Sequence, residues 1–218
     1  MRLDQLLALP FWAITFYLLR PSVLRGAEWR KPEGLLARLF ASNAALSLTL
    51  QIDPVARVFD QAVGIRNFSW LLSYILGVTT AYCGFSAWTY LRENHLPRRA
   101  TALAIGTIIL LVFAFLPLAA MPEIPHSASF DTNAQMFFRV ILYLFLGLMA
   151  NEGLRVFKQF LQREELPTGR LRIGLLIGSL YCALGFVLIR ALAGTALLLN
   201  GTVPFTELVW GLGNVLCE

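Results

Sequence analysis

Charge is scarce in this sequence of 218 residues, since only 14% are Asp, Glu, Lys or Arg, while 57% are hydrophobic and the mean hydropathy is +0.66. Soluble domains carry about 25% charged and roughly 45–50% apolar residues. The apolar residues also form long blocks, which a soluble core of this size does not require. The composition therefore predicts a multi-pass integral membrane protein.

Cysteine, histidine and catalytic motifs are equally scarce. Cys83, Cys182 and Cys217 have no ligand-like spacing, and His95 and His126 fall in different loops. The cysteines are interpreted as small packing residues, and no metal site or other cofactor is predicted. The sequence has no phosphate-binding loop, paired zinc-ligand histidines or GxSxG nucleophile motif, so no enzymatic activity is predicted.

The apolar blocks predict one all-α domain over residues 1–218, a transmembrane helical bundle with six complete spans and a partial seventh. They cover residues 6–19, 35–52, 68–90, 100–120, 136–150, 173–192 and 205–218. The first and last reach only ~21 Å of the ~30 Å hydrocarbon core. A signal peptide is the rival interpretation of the first block, but basic residues follow this block rather than precede it. The last block has no basic flank, which predicts a chain truncated within its seventh helix.

Lys and Arg are concentrated in alternate connections. Most of the 18 basic residues follow the first, third and fifth blocks. The connection of mixed polar and apolar residues at 53–67 holds only Arg57 and Arg66, and residues 121–135 hold none. Because basic residues are retained on the cytoplasmic side, the N-terminus is predicted outside the cell membrane, with membrane lipids as partners. Nucleic-acid binding is not predicted, because no single polar face gathers the charge.

Three polar residues recur at four-residue spacing in the second block. Asn43, Ser47 and Gln51 therefore share one helix face. An unpaired amide facing lipid at mid-depth would be costly, so Asn43 is predicted to face the bundle and find a polar partner. Hydrogen bonding between helices, worth about 0.6 kcal/mol per bond, is the favoured role. The wall of a polar pocket is the alternative.

Small residues follow the same spacing elsewhere and predict close helix packing. They are Ser69, Ser73, Gly77 and Ala81 in the third block, and Gly174 and Gly178 in the sixth. A different pattern follows the fifth block, where Leu154, Phe157 and Leu161 share a face. This predicts an amphipathic extension that lies at the cytoplasmic interface or docks a cytoplasmic protein partner.

Arg139 and Arg190 are the basic residues most nearly inside the apolar zone. Intramembrane arginines are functional candidates, because a charge at mid-bilayer is costly. Both are predicted near the outer ends of neighbouring antiparallel spans, with Tyr143 one turn below Arg139. We predict that they bind an anionic or zwitterionic ligand of the lipid-headgroup type, since arginine binds phosphate bidentately. Separate snorkelling of the two side chains to the headgroups is the alternative.

Short motifs from the first to the sixth block resemble a bacterial, mostly actinobacterial, family of seven-helix integral membrane proteins classed as transporters. The resemblance is carried by Arg20-Pro21, by Asp60, Gly64 and Asn67-Phe68, and by Arg170-Leu171-Arg172. Arg66 stands where that family usually has proline. A looser similarity is to the seven-helix sensor modules of histidine kinases. The resemblance implies a topology and no catalytic residues.

Three functions are compatible with these observations. The first is a membrane sensor or regulatory module that receives a signal at its outer loops. The second is a small transporter or lipid-handling protein, which should show broken helices or charged midplane residues. The third is a structural subunit of a membrane complex. The sensor is favoured, because Pro10 and Pro117 are the only helix breakers inside the blocks.

Overall fold

A computed structural model describes residues 3–20, 31–93, 95–125, 133–163 and 167–200. Every regular element in these ranges is an α-helix, which confirms the predicted all-α class. The helices are α1 (Leu3–Leu18), α2 (Pro32–Leu50), α3 (Asp53–Val63), α4 (Phe68–Glu93), α5 (Arg98–Ala119), α6 (Asn133–Arg163) and α7 (Pro167–Asn200). The predicted partial span at 205–218 and His126 lie outside the described residues.

Four described helices, α4 to α7, are long and apolar enough to cross a membrane. The pair α2 and α3 would add a fifth if it were one span, but the two axes meet at 94°. The apolar part of α1, Ala8–Leu18, is shorter. The chain therefore has the helices of a membrane protein, four or five of them of spanning length and composition.

One side of α5 shows how such a helix is adapted to lipid. Ile105, Ile109 and Phe113 follow each other at four-residue spacing and are 50% or more exposed, whereas Ala104 and Leu111 are buried. An exposed apolar stripe of this size is unfavourable in water and favourable against acyl chains. The exposed side of α5 therefore matches a hydrocarbon environment.

The chain divides into two compact units, Met1–Ala134 and Gln135–Glu218. In the first unit, α2 packs against α1 and α4, and α4 packs against α5. The indole Nε1 of Trp12 in α1 donates to Thr49 Oγ1 in α2 at 2.9 Å. A Cβ at Gly84 of α4 would lie 3.1 Å from the Phe40 ring of α2, so glycine permits this close approach.

In the second unit, α6 and α7 pack as an antiparallel pair. A Cβ at Gly147 would lie 3.3 Å from Val187, and one at Gly153 would lie 3.2 Å from Leu180. The two glycines of α6 thus let α7 approach closely. Two residues of the predicted amphipathic face, Leu154 and Phe157, are buried at less than 10% exposure, and Leu161 is half-buried. The placement of this face at the cytoplasmic interface or against a partner stays a prediction.

The predicted connection at 53–67 contains the 11-residue helix α3. One further expectation needs correction. The predicted packing seam of α7 is wrong in the part of the chain that the structure describes, because a Cβ at Gly174 or Gly178 would meet nothing within 4 Å. Small residues permit close packing only where a neighbouring helix is present, and sequence spacing alone does not supply the neighbour.

Candidate functional site

The turn between α3 and α4 is built from two residues in the left-handed backbone conformation. Gly64 ends α3 with φ 76°, and its N–H donates to the Asp60 carbonyl at 2.9 Å. Asn67 has φ 58°, the one positive value among the described non-glycine residues. Glycine enters this region freely, and asparagine is among the few other residues that tolerate it. The two residues reverse the chain so that α4 starts beside the end of α3.

The carboxylate of Asp60 reaches across this turn to the first residues of α4. Its Oδ1 accepts the Ser69 backbone N–H at 2.6 Å and its Oδ2 accepts the Ser69 hydroxyl at 3.0 Å. The first backbone N–H groups of a helix have no partner within the helix, and the helix dipole favours a negative charge there. Asp60 therefore caps α4 from a neighbouring helix.

Burial changes the acidity of this carboxyl group, which belongs to the short polar helix α3 between α2 and α4. Asp60 is only 7% exposed. Desolvation raises the pKa of Asp60, and the nearby charge of Glu123 raises it further. Hydrogen bonds from Ser69 and Asn67 lower it, but the pKa stays above its ordinary value. Asp60 therefore binds a proton more readily than an exposed carboxyl does.

Asn67 fastens the segment after α5 to the start of α4. Its side chain is fully buried. Its Nδ2 donates to the carbonyls of Leu118 at 2.8 Å and Pro122 at 3.1 Å, while its Oδ1 accepts the Ile124 N–H at 2.8 Å. The indole of Trp70 donates to the Ile124 carbonyl at 3.0 Å. The two connections, 53–67 and the start of 121–135, thus meet at one end of α4 and α5.

We call Asp60, Asn67, Ser69 and Trp70 the junction cluster. A cavity of about 40 Å³ lies beside it, lined by Asp53, Ala56, Arg57, Asp60, Glu123, Ile124 and Pro125. That volume holds a water molecule and no organic solute. Arg57 Nε lies 3.8 Å from Glu123 Oε2, but the two side chains are 63% and 45% exposed, so this ion pair contributes little stability. Asp60 lines this cavity, so a water molecule within it would be in position to exchange a proton with the carboxyl group.

The polar stripe of α2 pairs with α4. Asn43 Nδ2 donates to Thr79 Oγ1 at 3.1 Å, which confirms the predicted polar partner. The Ser47 hydroxyl donates to the Ser73 carbonyl at 2.8 Å. Gln51 is the half-buried C-cap residue of α2. Their observed contacts are hydrogen bonds between helices and within the end of α2.

Arg139, Tyr143 and Arg190 all lie in the second unit. Arg139 is half-buried, and the Tyr143 ring meets Phe186 edge-on at a centroid distance of 6.4 Å. The Gly147–Val187 and Gly153–Leu180 approaches set an antiparallel register in which position 190 lies roughly 7 Å along the helix axis from position 139. The Arg190 side chain lies outside the described residues. The shared headgroup site therefore stays a prediction.

One histidine and two cysteines lie among the described residues. His95 is exposed after the far end of α4. Cys83 is buried, as a packing residue should be, but Cys182 is exposed on α7, where that interpretation is wrong. Cys217 lies outside the described residues. Among the described residues, no group of three or more His, Cys, Asp or Glu could hold a metal ion.

In the sequence, Asp60, Gly64 and Asn67 stand out only as part of a family resemblance. The hydrogen bonds from Ser69 to Asp60, and those between Asn67 and the segment after α5, are not predicted by any sequence pattern. The sequence feature that could have indicated this turn is the pair Gly64 and Asn67, which lies between an amphipathic stretch and an apolar block. Comparison of the chain with protein-family profiles, curated proteins and solved structures finds no match.

Proposed function

We propose that this chain is a multi-pass sensor of the cell membrane, with its input at the junction cluster and its output through α4 to a protein partner on the cytoplasmic side. The observation that carries the proposal is the buried Asp60 carboxylate that caps α4 from α3. A change in the charge of this one group alters the cap, the turn and the start of a long helix together. The proposal assigns no enzymatic reaction to the chain.

The proposed topology has six complete spans and an external N-terminus. It is supported by the alternation of basic residues between connections. It also agrees with the contact between Asn67 and the segment after α5, because alternation places those two connections on one side. The junction cluster would then lie on the outer side, where the external pH can act on it.

The length and packing of α4 support its proposed role in transmitting a change from the junction cluster to the opposite end of the helix. Its 26 residues reach about 39 Å, more than the ~30 Å hydrocarbon core. Its first half bonds α2 at Ser73 and Thr79, and a Cβ at Gly77 would lie 3.9 Å from Ser47 Oγ. A packed interface of this kind moves by shifting between discrete arrangements, so a change at the cap can displace the far end of α4.

Protonation is the input that the chemistry of the cluster favours. The carboxylate accepts two hydrogen bonds from Ser69, and the carboxylic acid would accept one and donate the other. The neutral acid interacts less favourably with the positive end of the α4 dipole. Because the raised pKa of Asp60 brings protonation to milder acidity, the proposed signal is acidification of the external medium.

A conformational measurement in liposomes tests this function. A Cys-less protein carrying Leu96→Cys is labelled with an environment-sensitive fluorophore, since Leu96 is 46% exposed just beyond α4. We expect acidification on the junction side to change the fluorescence at position 96. Asp60→Asn should abolish the response. Glu123→Gln removes an exposed carboxylate of the same cavity that raises the pKa of Asp60, so it should retain the response with its midpoint at lower pH.

Two results would contradict the proposed function. The first is a signal at position 96 that is insensitive to pH in the otherwise native background. The second is a response that survives in Asp60→Asn with its midpoint unchanged. Solute uptake by the same liposomes would favour the transporter instead.

A further inference from the structure

One side of α3 is an apolar surface that the described part of the chain leaves largely exposed, apart from the stacking of Phe59 on Phe68. It consists of Pro54, Val55, Val58, Phe59 and Ala62, which line one shallow surface depression. Val58 is 67% exposed and Val55 is 37% exposed. We call these five residues the α3 apolar face.

The other sides of α3 differ sharply from this face. Ala56 and Asp60 are 6% and 7% exposed, because they pack toward the rest of the first unit. Arg57 and Gln61 are exposed on a third flank, where Arg57 approaches Glu123. A helix with separate protein, polar and apolar sides is typical of a segment held at a boundary between two environments.

The placement of α3 fixes which boundary this is. α2 ends at Leu50 and α3 begins at Asp53, so only two residues separate them, and their axes meet at 94°. α2 packs against α4, which is long and apolar enough to cross a membrane. A helix perpendicular to α2 at the end of α4 therefore lies close to the membrane plane. Its 11 residues reach about 16 Å, too short to cross the ~30 Å core.

We propose that α3 is an interfacial helix whose apolar face is seated in the lipid bilayer, at the boundary between headgroups and acyl chains. The occupant of the α3 apolar face is thus the membrane itself. The polar flank with Arg57 and Gln61 faces the water layer, and the buried Asp60 side fastens the helix to α4. This inference is independent of the proposed sensor function, because it needs only the bend, the short length and the exposed face.

Site-directed spin labelling measures this placement directly. In the Cys-less protein, a nitroxide is attached to a single cysteine, either Val58→Cys or Gln61→Cys. Position 61 is the control, because Gln61 is also exposed but lies on the polar flank of α3. The probes are vesicles of phosphatidylcholine and phosphatidylglycerol, with oxygen and a water-soluble nickel chelate as collision reagents. We expect the label at 58 to collide mainly with oxygen, at a depth of about 5–10 Å below the headgroups. The label at 61 should collide mainly with the nickel chelate.

Three results would overturn the inference. Equal access of the nickel chelate to positions 58 and 61 would place α3 in water. Protection of position 58 from both reagents would mean that protein, such as a second copy of this chain, covers the face. A label at 58 near the bilayer centre would make α3 part of a broken span with α2. A second label at Val55 should repeat the result at 58, which guards against a local disturbance by either substitution.

Discussion

The Asp60 carboxylate accepts the backbone N–H of Ser69 at 2.6 Å, so a residue of α3 supplies the N-terminal cap of α4. Helix caps usually come from the residue that precedes the helix. Here the residue that directly precedes α4, Asn67, is committed to the segment after α5. Hydrogen bonds therefore join the start of α4 both to α3 and to the segment after α5.

Removal of the Asp60 carboxylate should lower the free energy of unfolding, and an isosteric replacement should lower it less. Asp60→Ala leaves the buried Ser69 N–H and hydroxyl without this acceptor, so we expect a loss of about 1–3 kcal/mol in the free energy of unfolding. Asp60→Asn can still accept from the N–H and donate to the hydroxyl, so its loss should be smaller. Denaturant unfolding in detergent measures both. An Asp60→Ala protein as stable as the Asp60→Asn protein would contradict the capping role.

The pH dependence of stability should carry the signature of a raised pKa. The folded state binds the Asp60 proton more tightly than the unfolded state does, because burial raises the pKa. The corresponding stability is complete below the ordinary carboxyl pKa of about 4 and is lost as pH rises through the higher folded value. The native protein should therefore gain stability on mild acidification relative to Asp60→Asn. The measurement is the difference between their unfolding curves across this range, and a difference of opposite sign would exclude the raised pKa.

Substitutions of Asn67 should separate its backbone role from its side-chain role. Asn67→Gly keeps access to the left-handed conformation but loses the bonds to Leu118, Pro122 and Ile124. Asn67→Ala loses the same bonds and adds the cost of a left-handed alanine, about 1–2 kcal/mol. We expect thermal stability to fall in the order native, Asn67→Gly, Asn67→Ala. Equal stability of the two variants would mean that the left-handed conformation contributes nothing measurable.

The hydrogen bond between Asn43 and Thr79 should contribute a modest coupling energy. Double-mutant cycles on other membrane helices give about 0.6 kcal/mol for such bonds. We expect Asn43→Leu and Thr79→Val to be non-additive by that amount, with little total loss because leucine suits the hydrocarbon environment. The measurement is unfolding of the two single variants and the double variant in detergent micelles. Strict additivity would show that the contact carries no energy.

The predicted topology places His95 and Arg99 on the cytoplasmic side and His126 and Asp131 outside. The basis is the alternation of Lys and Arg between connections. Single-cysteine variants at positions 95 and 126, treated with an impermeant thiol reagent on intact cells, should be labelled from outside only at 126. Labelling of position 95 from outside would reverse the orientation.

The amino-acid sequence by itself determined the helical class and the approximate position of each described long helix. Long apolar blocks in a chain with little charge have few other solutions, since backbone groups in lipid must be bonded within the helix. It also predicted the partner of Asn43 in kind, because an amide at mid-depth needs one. Both the helices and the pairing of Asn43 are consequences of an apolar environment, and the composition alone indicates that environment.

The tertiary structure alone decided which residues form the junction cluster. It also decided that residues 53–63 form a helix that is bonded to the start of α4. Asp60 is an ordinary exposed carboxylate in any local view of the sequence, and it becomes a buried cap only when the turn at Gly64 and Asn67 folds α3 against α4. The prediction of a packing seam on α7 is wrong for the same reason, because Gly174 and Gly178 have the right spacing but no neighbour within 4 Å of a Cβ among the described residues. Spacing along a chain defines the face of a helix, but the identity of what meets that face depends on contacts between residues far apart in the sequence.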